Sequence, residues 1–485
     1  MLFSNAGYRY SINLYLRGLG IIYLIALYSC WTQIHGLIGE QGILPVTAFL
    51  NPDASALTLD RVLAFPTLLW WFSTDLALSL FCIIGMIVSV LLIAGFLPVA
   101  CTTVLWTIYL SLSVGGQIFF SYQWDAMLLE CGLLAILVAP PVLWSRPSVN
   151  PEPSRIIIFL IYWLLFRFMF SSGFMKLVGG DPSWRDLTAL SYHLWTQPLP
   201  TWTAWYYHQL PMWALKFSVG AMLVIEVVVP FLVFTSRILR TLAFGLFVSL
   251  QVIIGLTGNF GFFNLLSIVM CLPLLDDRWF EGEETMTPEL PSSRVQFAET
   301  LIHIPAVIMI MTVSIVYFVS MIQPTFAWPP AISNLVETAA PFRSVNQYGL
   351  FTHMTKERPE IIIEGSSDGR EWRRYTFAYK PGDEDRTPRV VAPHMPRLDW
   401  QMWFAALGHY TGNKWLLQFM QRLTEGSPDV LALLEDNPFG ADPPRYVRAV
   451  LYNYTFASRE DHEARNFWWK RELKGLYCPV VTRNP

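Results

Sequence analysis

Long apolar runs fill the first two-thirds of this chain of 485 residues. A helix that crosses a bilayer needs about 20 apolar residues, and the pattern supplies eight to nine such windows. The predicted helices are 14–36, 74–95, 97–119, 125–144, 156–177, 212–234, 237–257, 260–275 and 301–322. The segment 62–72 is too short to cross, and its tryptophans favour an interfacial or re-entrant position. The first two-thirds therefore predict a polytopic α-helical membrane protein.

The pattern changes after Pro324, where polar residues and tryptophans become frequent. Alternating side chains predict a β-hairpin over 360–379 and a strand over 445–457. Helical periodicity is found between these strands, over 399–407, 413–424 and 428–435. Mixed strands and helices in this length predict one soluble, β-rich α+β domain. We therefore expect two domains, a transmembrane domain over 1–325 and a soluble domain over 326–485.

Composition agrees with a membrane protein and excludes several partners. Mean hydropathy is +0.41 and charged residues make up 14%, against about 25% in soluble proteins. The net charge of −3 and the lack of a basic run argue against nucleic acid as a partner. The six cysteines show no C-x-x-C spacing, so we expect no disulfide framework. The histidines show no ligand spacing, and we expect neither a metal nor a cofactor.

Positive charges in the loops orient the predicted helices. Cytosolic loops carry an excess of Lys and Arg, which places the N-terminus with Arg9 and Arg17 in the cytosol. Loop 145–155 and the pair Arg237 and Arg240 then fall on the same side. Nine helices would put residues 326–485 outside, in an endoplasmic reticulum lumen or a periplasm. One helix more or fewer would reverse this orientation.

Ionisable side chains inside spans are costly, so each is a candidate for function. We expect Lys176 to face an outer-leaflet pocket with Glu130 or Asp125. Arg167 is expected to make a structural pair elsewhere in the bundle, and Glu226, which also lies near the midplane, is a candidate partner. Arg167 and Lys176 are nine residues apart, about 180° around a helix, so they cannot share one cavity. The alternatives are structural: Lys176 reaches the interface, Asp125 caps a helix, and the glutamates make hydrogen bonds between helices.

Aromatic residues outside the spans are candidates for binding another protein. One group flanks the loop 197–201, which also lies between His193 and His208; the other lies in the soluble domain. The candidates are Trp202, Tyr206, His208, Trp372, Trp400 and Trp403. The alternative is an ordinary core with an aromatic belt at the membrane interface. The sequence leaves both open.

Several long motifs together resemble the lipase maturation factor family almost from end to end. They are FSYQWDAMLLE at 120–130, KLVGGDPSWRDLTAL at 176–190, TQPLP at 196–200, WYYHQLP at 205–211, NQYGL at 346–350, RPEIIIEG at 358–365, YKPG at 379–382, PRLDWQMW at 396–403 and PPRYV at 443–447. In animals, the resemblance implies an endoplasmic reticulum membrane protein that supports folding and assembly of dimeric secreted lipases such as lipoprotein lipase. Its lumenal parts would bind the client. Bacterial members are similar, and for them the resemblance implies the inner membrane and an unnamed client.

A fainter resemblance concerns the exit of the fifth predicted helix. Residues 172–177 and Trp184 are similar to the membrane domain of the vitamin K-dependent γ-carboxylase, which uses a lysine there as a base; Lys176 matches it. The histidine region of that family is not reproduced, because residues 122–125 read YQWD. Two main hypotheses follow: a folding and assembly factor that contacts a secreted client and membrane lipids, or an enzyme with a pocket around Lys176. A transporter is disfavoured, since no inverted repeat is evident.

Overall fold

A computed structural model describes residues 7–50, 58–281 and 293–483. Helices dominate the part before the soluble domain. In chain order they are α1 (Arg9–Trp31), α2 (Ile34–Ile38), α3 (Val46–Leu50), α4 (Leu59–Ala64), α5 (Asp75–Ala94), α6 (Pro98–Gly115), α7 (Gln123–Val138), α8 (Arg155–Val178), α9 (Pro182–Arg185), α10 (Leu190–Thr196), α11 (Trp202–His208), α12 (Met212–Val227), α13 (Arg237–Thr257), α14 (Phe263–Cys271), α15 (Arg278–Glu281) and α16 (Ser293–Ile322).

In the described ranges, 7 helices are long and apolar enough to cross a membrane. They are α1, α5, α6, α8, α12 with its 3-10 extension to Phe234, α13, and the part of α16 from His303. A polytopic α-helical membrane protein is thereby confirmed. The predicted helices 125–144 and 260–275 are shorter: α7 has 16 residues and α14 has 9 before a 3-10 turn. Prolines explain both ends, because proline lacks an N–H and disrupts a helix interior.

The two shorter helices also connect the two faces of the bundle. Asp125 at the start of α7 pairs with Arg397 of the soluble domain, whereas Val138 at its end lines a cavity with Arg9. After α14, the N–H of Asp277 donates to the carbonyl of Gly7. The face that holds Arg9 is called the N-terminal face below, and the face that holds Arg397 is called the domain face. Both short helices therefore run from one face of the bundle to the other, and the soluble domain packs against the domain face.

The capping residues of α5 and α6 explain why only three residues separate these two helices. The side chain of Thr74 caps α5 by accepting from the N–H of Ala77. Gly95 ends α5 in the left-handed region with φ 88°, which favours glycine. Pro98 then occupies the first turn of α6, where its missing N–H costs nothing. Segment 62–72 forms no spanning helix, as predicted, and holds only the end of α4 and a 3-10 turn.

The soluble domain combines a main sheet, a small sheet and several short helices. The helices are α17 (Pro330–Ala339), α18 (Arg397–Ala406), α19 (Lys414–Glu425), α20 (Pro428–Leu431) and α21 (Arg459–Arg465). The strands are β1 (Arg358–Ser366), β2 (Arg373–Arg374), β3 (Thr376–Phe377), β4 (Leu434–Asp436), β5 (Tyr446–Phe456), β6 (Trp469–Leu476) and β7 (Val481–Thr482). The order β2-β1-β5-β6 forms the main sheet, with β7 also on β5.

Most predicted elements of this domain are present, with two differences. The predicted hairpin begins as expected with β1 and β2, but its second strand breaks, and β3 pairs with β4 instead. The predicted helix 428–435 ends early, because its last residues form β4. The long pairing of β1 with β5, in which Ile361 faces Leu451, forms the centre of the sheet. The α+β prediction is confirmed.

Candidate functional site

Lys176 and Glu226 form a buried ion pair between α8 and α12. The ammonium of Lys176 donates to Oε2 of Glu226 at 2.6 Å, and both side chains are nearly inaccessible. Gly173, one turn earlier on α8, allows the close approach, since a Cβ there would lie 2.6 Å from Cβ of Glu226. The ring of Trp184 lies 5.2 Å from the ammonium and adds a cation–π contact. A lysine held this way is paired inside the bundle.

Arg167 pairs with Glu130 on the opposite side of α8. The guanidinium contacts Oε1 of Glu130, and it also donates to the carbonyl of Asn346 at 3.0 Å. The second carboxylate oxygen of Glu130 accepts from the hydroxyl of Tyr348 at 2.6 Å. This network ties α7 and α8 to the segment after α17. Every charged group in it therefore has a partner, as buried charges require.

The predicted partner of Lys176 was therefore wrong, and so was Glu226 as the candidate partner of Arg167. Arg167 does form a structural pair in the bundle, and the two cations do point in opposite directions, as predicted. Lys176 pairs with Glu226 rather than with Glu130 or Asp125, and Arg167 pairs with Glu130 rather than with Glu226. The physical reason is the packing around α8, whose Arg167 side contacts α7 and whose Lys176 side contacts α12. A single sequence gives the angle between two side chains but not the neighbour on each side.

Asp125 binds Arg397, a residue that sequence reasoning missed. The guanidinium makes two bonds of 2.8 Å to the two oxygens of Asp125, and it also donates to the carbonyl of Phe119. Its centre lies 3.6 Å from the ring centre of Phe120. The hydroxyl of Tyr109 donates to the same carboxylate. The bidentate pair joins the soluble domain to the membrane helices; Arg397 stands within the motif at 396–403, which was the only available signal.

A cavity of about 110 Å³ lies beside the Lys176–Glu226 pair. Apolar side chains of α8, α13, α14 and the segment 350–351 form part of its wall. The polar lining residues are Ser172, Lys176, His193, Glu226, Gln251 and Asn264. Neither Glu130 nor Asp125 is among the lining residues, so the expected three-residue pocket is not formed.

His193 is the least satisfied group of the cavity. Burial, aided by the nearby ammonium of Lys176, lowers the pKa of His193 to about 4, so its imidazole is neutral at pH 7. Its Nδ1 is buried and has no hydrogen-bond partner among the residues described. The side-chain amide of Asn264 donates to Oε1 of Gln251 at 2.9 Å. The sequence placed His193 only beside the loop 197–201, because nothing local predicts its position next to Lys176.

The aromatic candidates divide into exposed and buried residues. On α11, Trp202 is 44% exposed and Tyr206 is 52% exposed. His208, also on α11, is half-buried against the ring of Phe456. These three side chains lie on the domain face, at the junction of the membrane helices and the soluble domain. Of the three, Trp202 and Tyr206 have exposed side chains.

Trp400 and Trp403, two of the candidates for binding another protein, are only 3% and 7% exposed. Trp403 donates its ring N–H to the carbonyl of Thr196 at 2.8 Å, so it joins the soluble domain to the loop after α10. Trp372 is half-buried, and the guanidinium of Arg448 lies 4.0 Å from its ring centre. For Trp400 and Trp403 the alternative of an ordinary core is thus the right one.

Arg358 makes the second strong connection between the two parts of the chain. Its guanidinium donates to the carbonyls of Trp195, Gln197 and Pro198, and it pairs with Glu360 at 2.8 Å. The accepting carbonyls belong to the last turn of α10 and the loop that follows it, and Glu360 belongs to β1. The loop that presents Trp202 is therefore held rigidly by the soluble domain.

Comparison with known proteins shows which family this chain belongs to. A model of the lipase maturation factor transmembrane domain matches residues 10–282, and a model of the lipase maturation factor C-terminal domain matches residues 344–479. The chain belongs to the lipase maturation factor family. The first family model covers most of the helical bundle, and the second covers most of the soluble domain. Residues 283–343 lie between the two matched ranges.

Named relatives of this family extend over nearly the whole chain. Lipase maturation factor 2 of Gallus gallus is 36% identical over 97% of this chain and 81% of its own length. Lipase maturation factor 2 of Homo sapiens is 33% identical over 98% and 83%. Lipase maturation factor 1 of Bos taurus is 32% identical over 96% and 88%. No solved structure matches significantly. These relatives carry the name of maturation factors and give no support to the enzyme hypothesis.

Proposed function

We propose that this protein is a membrane-embedded maturation factor that supports the folding and assembly of secreted proteins, with a lipase as its client. The observation that carries the proposal is the family match over both the helical bundle and the soluble domain. Relatives with identities above 30% over almost the full length bear the name of lipase maturation factors. The client of this chain is inferred from those names.

The buried charges support a structural use of the intramembrane polar groups. Lys176, Arg167 and Asp125 each sit in a near-inaccessible ion pair with a partner on another element. Breaking such a pair leaves an uncompensated charge and is strongly destabilising. These pairs hold the bundle and the soluble domain in one arrangement, which gives a client a fixed surface to bind.

The client surface of this proposal is the exposed side of α11 on the domain face. Trp202 and Tyr206 are aromatic residues in solvent-accessible positions, and such residues dominate binding energy in protein interfaces. Arg358 fixes the preceding loop, so little conformational entropy is lost when the surface binds. In this proposal His208, at the end of α11, lies at the rim of the surface. Trp372 lies further away, between β1 and β2 of the soluble domain.

The proposal includes the orientation in the membrane. The N-terminal face carries the basic loop residues Arg146 and Arg155 together with Arg237 and Arg240, which favours a cytosolic position. The soluble domain then lies in the endoplasmic reticulum lumen of a eukaryotic cell or in the periplasm of a bacterium. Because α16 ends at Ile322, we keep the boundary between residues 1–325 and 326–485.

Site-specific photo-crosslinking tests this surface. A benzophenone amino acid is placed at Tyr206, and a matched control position is Phe217, which is 73% exposed on the lipid-facing side of α12. In cells that secrete a dimeric lipase, we expect crosslinks to newly made lipase from position 206 and not from position 217. Equal or absent crosslinking at the two positions would contradict the proposed client surface.

A further inference from the structure

On the N-terminal face, three arginine side chains contact the same buried carboxylate. Nε of Arg237 lies 3.2 Å from Oδ1 of Asp276, whose side chain is inaccessible to solvent. On Oδ2 of that carboxylate, Nη2 of Arg240 lies at 3.6 Å and Nη2 of Arg278 lies at 3.2 Å. Even when Arg278 is left out, two guanidinium groups share one negative charge. The cluster therefore has an excess of positive charge.

Arg240 is buried without a hydrogen bond that would compensate its charge. The residue is 1% exposed, and neither Nε nor Nη2 has a hydrogen-bond partner in the part of the chain that the structure describes. Its distance of 3.6 Å from Asp276 is too long for a hydrogen bond. Because Arg237 contacts the same carboxylate, the buried guanidinium of Arg240 lies next to the partly exposed one of Arg237. A buried cation with so weak a partner is costly, and a second anion at this place would lower the cost.

The start of α13 adds to the need for an anion. The helix begins at Arg237, its first turn contains no acidic residue, and the side chain of the N-cap Ser236 makes no hydrogen bond to the helix. The N-terminus of a helix carries a partial positive charge, so basic residues in the first turn are unfavourable by themselves. The same terminus attracts an anion, because its first N–H groups have no acceptor within the helix.

The next carboxylate along the chain is bound to another helix. Asp277 accepts from the N–H groups of Arg9 and Tyr10 at the start of α1, at 2.7 and 2.9 Å. Among the described residues, Arg237 and Arg240 make no ion pair other than those with Asp276. The terminal nitrogens of Arg237 thus have no acceptor in this part of the chain, and its side chain is 29% exposed. Its planar fork is free to bind two oxygens of one group.

The arginine cluster lies where the head groups of lipids are found. Ile238 and Leu242, on the outer side of α13, are 80% and 50% exposed, and α13 is long and apolar enough to cross a membrane. The ring centre of Trp279, which is 53% exposed, lies 5.1 Å from the guanidinium centre of Arg237. Tryptophan is typical of the membrane–water interface. Of the anions found at this depth, the phosphate of a phospholipid has the oxygens that a guanidinium binds in bidentate fashion.

We propose that Arg237 and Arg240 bind the phosphate of one anionic phospholipid in the leaflet at the N-terminal face, Arg237 by direct contact and Arg240 through its buried charge. The excess of positive charge favours a head group with a net negative charge over one that carries its own cation. Basic sites between membrane helices are known to bind such head groups. This site lies on the face opposite the client surface of α11, and it does not depend on the proposed client.

The test compares three sources of phosphate. The full-length protein in detergent is heated with dioleoylphosphatidylglycerol, with dioleoylphosphatidylcholine or with a large excess of inorganic phosphate at matched ionic strength. Unfolding is followed by tryptophan fluorescence. We expect dioleoylphosphatidylglycerol to raise the Tm by about 2 °C or more, and each of the other two to give less than a third of that shift. An equal shift with either of them, or no shift with dioleoylphosphatidylglycerol, would overturn the proposal.

Three variants locate the binding site. Arg237→Gln removes the partly exposed fork and is expected to lose at least two-thirds of the shift. The matched control is Arg146→Gln, which removes the same charge from an exposed position of the N-terminal face outside the cluster and should keep the full shift. Arg240→Gln is also expected to reduce the shift, and Arg237→Gln decides alone if that variant does not fold. A loss in Arg146→Gln as large as in Arg237→Gln would indicate unspecific attraction to a basic face and refute the site, as would an undiminished shift in Arg237→Gln.

Discussion

At the scale of single residues, the ion pair between Arg397 and Asp125 is the most consequential contact between the two parts of the chain. Both side chains are about 1% exposed, and the two atoms of the pair lie 2.8 Å apart. Replacing Arg397 by Met leaves Asp125 buried without its cation. We expect a loss of about 3–5 kcal/mol in the free energy of unfolding, measured by denaturation in detergent.

Two comparisons make this prediction specific. The double variant Arg397→Met, Asp125→Leu removes both charges and is expected to recover a large part of the loss. Arg459→Met, which breaks the exposed pair of α21 with Glu463, should change stability by less than about 0.5 kcal/mol. A loss at Arg397 no larger than the loss at Arg459 would show that the pair does not hold the domain.

The titration of His394 gives a pH dependence with a defined sign. Burial and the nearby Arg397 lower the pKa of His394 to about 4, and its Nδ1 bonds the hydroxyl of Ser29 on α1 at 2.9 Å. The unfolded chain protonates near pH 6.5, so it binds more protons than the folded chain between pH 6.5 and 4. Stability is therefore present above pH 6.5 and is lost as the pH falls.

Replacing His394 by Asn removes this titration. Between pH 7 and pH 5 we expect the wild type to lose about 1–2 kcal/mol more than His394→Asn in thermal or chemical unfolding. Asp399, whose pKa is raised to about 6 by burial, titrates in both proteins and cancels in the comparison. Identical pH profiles for the two proteins would contradict the lowered pKa of His394.

The sequence predicted which charges are buried but not how they pair. Lys176, Arg167 and Glu226 lie within long apolar runs. Because a charged side chain is costly to bury in the bilayer, the sequence alone identifies these residues as buried and paired. The partner of each depends on which helix packs against which side of α8, and that is set by tertiary packing. The pairing of Asp125 with Arg397 joins positions 272 residues apart, for which no local pattern exists.

At the scale of elements, the packing of α8 on α12 depends on Gly173. A Cβ at this position would lie 2.6 Å from Cβ of Glu226 and 2.8 Å from a methyl of Val227. Gly173→Ala is expected to separate the two helices and destabilise the protein by about 1–3 kcal/mol, even though alanine favours a helix. The measurement is the Tm of the purified variant in detergent.

Gly245 on α13 is the matched control, because a Cβ there would meet no neighbouring group within 4 Å in the described part of the chain. Gly245→Ala should leave the Tm unchanged or raise it slightly, since the intrinsic gain of alanine in a helix is about 1 kcal/mol. If the two glycine variants shifted the Tm in the same direction and by the same amount, close packing at Gly173 would be refuted.

Helices that cross the membrane could be predicted from the sequence better than the ends of the short helices or the strands of the soluble domain. Apolar runs placed the crossing helices, because the bilayer imposes length and composition together. The ends of α7 and α14 were placed too late, although the prolines after them were visible. Strand β6 was not predicted, because Trp469–Leu476 is charged and lacks alternation. Its extended conformation is stabilised by antiparallel pairing with β5 rather than by its own sequence pattern.

At the scale of the whole molecule, the two faces of the bundle should lie on opposite sides of the membrane. Glycosylation tests this with acceptor sequons inserted after Gly369, in the turn of the soluble domain, or after Val149, which is 74% exposed between α7 and α8. The existing sequon at Asn453 lies within β5 and is removed by Asn453→Gln. In mammalian cells, only the insertion after Gly369 is expected to gain a glycan.

Modification after Val149 and not after Gly369 would reverse the orientation and remove the soluble domain from any secreted client. Modification of the expected site alone leaves the domain face, with α11, on the side where secreted proteins fold. This result is necessary for the proposed function, but it does not measure the function itself.

The most direct measurement is rescue of lipase maturation in cells that lack the endogenous factor. The quantity is the activity of a secreted dimeric lipase per amount of secreted protein, at matched membrane levels of each variant. We predict that the wild type and Trp213→Ser, a control at a 73% exposed residue of α12, restore this specific activity. The double variant Trp202→Ser, Tyr206→Ser should restore less than about a third of it. A wild-type protein that reaches the membrane and leaves the specific activity of the lipase unchanged would contradict the account.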